Sequence, residues 1–403
     1  MCAATLEDLI PLYPLYAVLF ADPSIPGAGL GAAEISTLFV IWSVASVIVE
    51  VPTGVLADRV SRRALLVAGP WVTASGFALW TFVPSFATFA LGFVLWAIGG
   101  AMRSGTTQAL VYDELVHLGR AHGYARLSGA MRAAGAIGVI AGTASAAPLF
   151  ASGGYVAVGL GSVIACILCS LVSAALPETR RAASVVPAET DGPAEGSDDG
   201  SVGWLQVIRS ARNSLRTQPA ARRLLLLGVG LTWIAALDEY LPVLVGTFVS
   251  HAPDVGPDPR AVALLMVVVS VGDIAGALAA GRFRSVAAVG PAVGVGATVL
   301  VAAALWGHPV GAVGVAAAFG LLGWARVVVD AALQDRLESA SRATVTSLAG
   351  VGEELVAIAA FAGWAIGSGW SGPAGLFALA ALPYVVLSAV LTGGAMTARA
   401  SRR

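Results

Sequence analysis

Residues 35–49 read ISTLFVIWSVASVIV, fifteen positions without a charge, and the next fourteen, EVPTGVLADRVSRR, hold Glu50, Asp58, Arg59, Arg62 and Arg63. Long uncharged runs that end in short charged segments recur along the whole chain. A run of about 17–25 apolar residues is long enough to cross a bilayer as a helix. Twelve runs qualify, at about 5–21, 34–56, 64–83, 86–109, 125–147, 154–176, 223–248, 261–281, 287–306, 309–331, 344–367 and 373–394. The pattern predicts an all-α membrane protein of twelve transmembrane helices in two six-helix bundles. The first run is short and begins with Glu7 and Asp8, so its helix is expected to be incomplete or strained.

One polar stretch breaks the rhythm. Residues 178–222 contain PETRRAASVVPAETDGPAEGSDDG, rich in Pro, Gly, Ser and acids, the composition of a flexible linker. Further along, WLQVIRSARNSLR sets Trp204, Ile208, Ala211 and Leu215 on one helical face and Arg209, Arg212 and Arg216 elsewhere. That spacing fits an amphipathic helix on the inner leaflet; a plain solvated helix is the alternative. The expected organisation is a bundle at 1–177, a cytoplasmic linker at 178–222 and a second bundle at 223–403.

Composition narrows the function. Of 403 residues, 57% are hydrophobic and 12% charged, about half the ~25% charge of a soluble domain. That much apolar surface must face lipid. A net charge of −1 offers nothing to a nucleic acid. All 23 basic residues are Arg, which removes the phosphate-loop lysine and the lysine Schiff base. Cys166 and Cys169 have redox spacing in CILC, but inside an apolar run they read as buried or lipid-facing small residues. His117, His122, His251 and His308 lack metal-ligand spacing. No metal, cofactor or catalytic residue is therefore expected. No positive segment precedes the first apolar run, so no cleavable signal peptide is expected.

Arginine position sets orientation. With both termini cytoplasmic, 19 arginines fall in the inner loops and tail, one (Arg260) falls outside, and Arg103, Arg132 and Arg326 fall within spans. The halves also echo one another. VEVPTGVLADR (49–59) aligns without gaps to GDIAGALAAGR (272–282), placing Glu50 on Asp273 and Arg59 on Arg282. The same offset of 223 places Arg103 on Arg326 and Gly100 on Gly323. A shared register across the second and eighth spans, and the fourth and tenth, predicts duplicated halves in parallel orientation.

GVLADRVSRR (54–63) resembles the loop signature between the second and third helices of the major facilitator superfamily. Gly54, Leu56, Ala57, Asp58, Arg59, Arg62 and Arg63 match it, and Ser61 stands where the family usually has Gly. The preceding EVPTG resembles a variant found among bacterial drug and metabolite carriers. The resemblance implies a multi-pass protein of the bacterial plasma membrane, moving a small molecule between two pseudo-symmetric bundles, expected to act as a monomer among lipids. It also implies a gating role for Gly54, Asp58, Arg59, Arg62 and Arg63, with Asp58 facing the start of the eleventh helix near Arg342 to Gly350. Physical reasons fit: Gly54 permits close helix approach, and a carboxylate favours the positive end of a helix. Ordinary positive-inside anchoring is the alternative for the arginines.

In such a fold the first, fourth, seventh and tenth helices line the cavity. Here they carry Tyr13 and Tyr16; Arg103; Asp238, Glu239 and Tyr240; and Arg326 and Asp330. Charged groups at mid-membrane depth are functional candidates, against the plainer reading that an Arg pairs with a carboxylate to fix packing. Glu50, two turns inside the second span, has the same two readings. On a helix Asp238 and Glu239 point about 100° apart, so one is expected to face the cavity and the other a neighbour, with Arg103 and Arg326 as candidate partners. Trp96 occupies the position where the family's fourth helix often has Arg. GAIGVIAG in the fifth run supplies Gly135, Gly138 and Gly142 but no Pro. The expected function is alternating-access transport, proton-coupled export of a small amphiphilic compound driven by the proton gradient. Alternatives are an uptake carrier or uniporter and, more remotely, a transport-inactive sensor or scaffold. A membrane-embedded enzyme lacks the motifs it would need.

Overall fold

The computed structural model describes residues 1–178, 218–250, 256–337 and 339–400, with the side chains of 50–59, 339–344, 347 and 393–400 outside the description. The stretch from Trp204 to Leu215 therefore lies outside the described residues, as do the side chains of Glu50, Gly54, Asp58 and Arg59. Fourteen α-helices follow in order among the described residues. They are α1 Cys2–Asp8, α2 Tyr16–Ala21, α3 Ala32–Arg59, α4 Arg62–Phe82, α5 Phe86–Arg103, α6 Thr106–His117 and α7 Tyr124–Ala174. The second set is α8 Pro219–Ala236, α9 Leu241–Val249, α10 Pro259–Ala279, α11 Val289–Trp306, α12 Gly311–Gln334, α13 Ser339–Gly367 and α14 Pro373–Ala400.

Ten described stretches are long and apolar enough to cross a membrane. One of them, Ala121–Ala174, is 54 residues long and breaks at Gly153 and Gly154, making the fifth and sixth spans. Gly154 adopts φ 61° and ψ −152°, a region open essentially to glycine alone. The first span, broken between α1 and α2, completes the twelve. The outward surface is apolar, with Leu278 70% and Ile366 74% exposed. Water would not tolerate such a face; lipid does.

Three spans are interrupted, the first of them in line with the incomplete helix expected there. The first breaks over Leu9–Leu15, where Pro11 and Pro14 each remove a donor and clash with the preceding turn. The fourth breaks at Ser104–Gly105, with Gly105 at φ 69°. The seventh passes through a 3-10 turn, Leu237–Tyr240, before α9. Backbone groups freed inside a membrane need new partners. Leu12 N donates to Ser162 Oγ at 3.0 Å, and Ile234 N donates to the Tyr384 hydroxyl oxygen at 2.9 Å. Donor and acceptor are 150 residues apart in both cases, so a hydroxyl from the sixth or twelfth span bonds the backbone of the first span at its break, or of the seventh in the helical turn before its 3-10 turn. The two halves share this arrangement.

Packing repeats the same symmetry. Within the first half α4 packs on α5 and α7, and α3 on α5; within the second, α11 packs on α12 and α14, and α10 on α12. Across the halves α3 packs on α13 and α7 on α10, two contacts that exchange when the halves are exchanged. Close approach rests on small residues. A Cβ on Gly276 would lie 1.9 Å from the Gly320 carbonyl oxygen, and one on Gly138 would lie 2.2 Å from the Thr5 carbonyl oxygen. The fifth-span glycines are thus the seat of α1.

Candidate substrate and proton site

The ends of the spans that carry the arginine-rich loops are called the arginine-rich end. At the opposite end the halves meet in a seal. Tyr240 donates a hydrogen bond to Ser36 Oγ at 2.6 Å. Its ring stacks on Trp364 at 4.0 Å and meets Phe39 edge-on at 5.2 Å. Tyr240, expected along the substrate path, is therefore part of this seal and is 1% exposed.

Below the seal lies a cavity of about 300 Å³ between the halves. One wall is aromatic. Tyr13 and Trp42 both stack on Trp96, with centroids 5.3 and 4.9 Å away and planes within 18° and 17° of parallel. Tyr16 lines the same cavity; it is 3% exposed and its hydroxyl has no hydrogen-bond partner. The facing wall carries Asp238 and Glu239. Both acids reach the cavity, unlike the expectation that one would turn away; they lie on the 3-10 turn Leu237–Tyr240, where the seventh span winds more tightly than an α-helix. Trp96, noted in the sequence only as a missing arginine, is the centre of the aromatic wall.

Asp238 also lines a second, smaller cavity of about 100 Å³ with Asp273, Gly323 and Arg326. Arg326 acts electrostatically on Asp238, Asp273 and Glu353. A Cβ on Gly323 would fall 2.6 Å from Asp273 Oδ1, so that glycine makes room for the carboxylate. Glu353, on the eleventh span next to Glu354, went unnoticed in the sequence. Asp330 is exposed beside Gln334, whose Nε2 donates to it at 3.4 Å, and lines neither cavity.

Arg103 is not beside Asp238 or Glu239. It pairs with Glu7 at 3.5 Å and donates from Nε to the Gly99 carbonyl at 3.3 Å. Both line a third cavity of about 500 Å³ near the arginine-rich end, with Asp8, Thr107, Gln108 and Arg132. Two spans that break, the first and the fourth, turn their polar groups into it.

Where side chains are described, the loop signature is held within its own half. Ser61 caps α4, accepting from Ala64 N at 3.1 Å, and its backbone is extended, so no glycine is required there. Ser61 Oγ and Arg62 N donate to Glu178, the amide at 2.8 Å. Arg62 pairs with Asp113, and Arg63 Nη1 donates to the Leu176 carbonyl at 3.4 Å. Partial burial pushes the Glu178 carboxyl up, but the bonds from Ser61 and from the Arg62 and Arg63 amides outweigh it and hold it below its ordinary value. A depressed carboxyl contributes stability that is present above its unfolded pKa and lost as pH falls through the folded one. Glu178→Gln is expected to lower stability at pH 7 by about 0.5–2 kcal/mol, the worth of a helix cap. Melting curves should show that deficit shrinking as pH falls through the carboxylate range. A deficit unchanged by pH would show that the charge is not what holds the cap.

Two bundles related by exchange, broken spans that line a cavity at their junction, and acids at mid-membrane depth define a polytopic membrane carrier fold. The sequence matches the Major Facilitator Superfamily over residues 9–360, and the chain belongs to that family. Among solved structures it is similar to the nucleoside transporter NupG, with TM-score 0.69 and 13% identity over 97% of this chain and 95% of that one. A point mutant of the same transporter gives TM-score 0.73 and 12% identity over 98% of both chains. A search of curated proteins returns no match.

Proposed function

We infer that the chain is a secondary carrier working by alternating access, with the proton as coupling ion and export of a small amphiphilic compound as its direction. The observation that carries this is the cavity between the halves, sealed at one end by Tyr240 and Ser36 and lined by Asp238 and Glu239. A proton and a positively charged solute compete for the same acids, which gives exchange rather than co-movement. Asp238 borders both this cavity and that of Arg326. Protonation there can therefore be felt on both sides of the seventh span. No cofactor is needed beyond the proton gradient.

Uptake is the competing reading, since the solved structures of similar fold are nucleoside transporters. Flux in sealed proteoliposomes tests both: export requires accumulation on the acidic side and uptake on the alkaline side, while equal movement without a pH gradient contradicts coupling.

The proposed orientation places both termini in the cytoplasm of a bacterial cell. Cys2 is exposed, while Cys166 and Cys169 are buried. An impermeant maleimide is expected to label Cys2 only from the inside and a cysteine at Ser250 only from the outside. The reverse pattern would invert the topology.

A further inference from the structure

The central cavity has an uneven balance of charge. Asp238 and Glu239 line it, and no basic side chain does so among the described residues. On the seventh span's other side Arg326 lines the smaller cavity together with Asp238 and Asp273. That cation is thus shared with a second acid, and Glu239, which lines the central cavity only, has no basic side chain beside it there among the described residues. Carboxylates inside a membrane are costly unless something positive neutralises them. Across from them stands the stack of Tyr13, Trp96 and Trp42, a wall suited to flat rings, and aromatic faces attract cations. Both walls select for the same ligand.

We propose that the central cavity binds a flat aromatic molecule carrying a positive charge, a protonated aromatic amine, with its ring against Tyr13, Trp42 and Trp96 and its ammonium toward Glu239 and Asp238. The volume of about 300 Å³ is at the low end of small-molecule sites, roughly 300–1,000 Å³, which suits one or two fused rings with a short amine arm. Tyr16 adds a further aromatic ring to the lining of the same space. The assignment rests on the carrier reading above and names what that carrier takes.

The test uses the full chain in nanodiscs and calorimetry with four probes: 2-(1-naphthyl)ethylamine, 2-(1-naphthyl)ethanol, 1-naphthylacetate and 2-cyclohexylethylamine. Protein-free nanodiscs correct for lipid partition. The naphthyl amine is expected to bind about tenfold or more tighter than the neutral, anionic and saturated probes, since it alone engages both walls. Asp238→Asn with Glu239→Gln should bring the amine down to the level of the alcohol and leave the alcohol unchanged. Trp42→Leu should weaken amine and alcohol together. If the double variant does not fold, Glu239→Gln alone should still erase most of the amine's preference. Equal or tighter binding of the alcohol or acetate, an amine preference that survives neutralisation of the acids, or no binding by any probe overturns the assignment. Counterflow in proteoliposomes separates the two failures. Exchange of the alcohol or acetate but not the amine leaves the carrier and removes the charge class; binding of the amine without exchange of any probe leaves the site and removes the carrier.

Discussion

Asp238→Asn is expected to abolish accumulation driven by a pH gradient while leaving downhill exchange intact. Asp238 is the residue that borders both the central cavity and the Arg326 cavity. On the proposed coupling, its carboxylate pairs with Arg326 in one state and with a proton in the other, a change that Asp273 in the same cavity would sense. Asparagine keeps the size and removes the proton site. A pH difference of one unit is worth about 1.4 kcal/mol per proton, which supports at most a tenfold concentration ratio. In proteoliposomes, the ratio measured with radiolabelled solute should fall to unity in the variant, and an internal pH-sensitive dye should show proton movement lost alongside it. Glu239→Gln is expected to do less to coupling, because Glu239 lines the central cavity alone. If both neutral variants still concentrate solute at wild-type levels, the coupling proton sits elsewhere, and Glu50 and Asp330 become the residues to test.

Arg103→Leu is expected to destabilise the fold more than any change in the loops. The arginine side chain is 11% exposed and meets Glu7 at 3.5 Å, with Asp8 beside them in the same cavity. Removing one partner of a buried pair leaves an uncompensated charge and costs about 3–5 kcal/mol. The Glu7 side chain is 35% exposed, so water offsets part of that, and a loss near the lower bound is expected. Neutralising both partners, Arg103→Gln with Glu7→Gln, should recover much of the loss. Thermal melts in detergent check this. A single variant as stable as wild type would mean the pair is solvated and structurally idle.

The architecture was legible because lipid demands it. Uncharged runs of helical length, an arginine bias and a repeat at fixed offset are consequences of burial in a bilayer and of duplication, and all three are linear patterns. The twelve spans, the pairing of halves and the placement of Tyr13, Tyr16 and one acid of the Asp238–Glu239 pair on the cavity lie within reach of such patterns. What escaped was three-dimensional. Nothing linear says that Arg103 turns toward Glu7 on the first span instead of Asp238 on the seventh. The short first run with Glu7 and Asp8 signalled an incomplete first helix, but the 3-10 turn at Leu237–Tyr240 has no comparable signal. Trp42 and Trp96 are 54 positions apart on different spans; their stack with Tyr13 exists only after packing. Glu353 and its neighbour Glu354 were missed acids that sequence position alone should have raised, since both are charged within a membrane run.

Alternating access of the central cavity is tested most directly by one accessibility measurement. Ser270 lines that cavity. A cysteine there, in a protein whose exposed Cys2 is changed to Ser and whose Cys166 and Cys169 are buried, reports which face the cavity opens to. The account predicts labelling by an impermeant reagent from either side of sealed, oriented vesicles. It also predicts that Tyr240→Phe, which removes the hydrogen bond to Ser36, raises labelling from the sealed side at the expense of the other. Labelling from one side alone, unaffected by Tyr240→Phe, would contradict it.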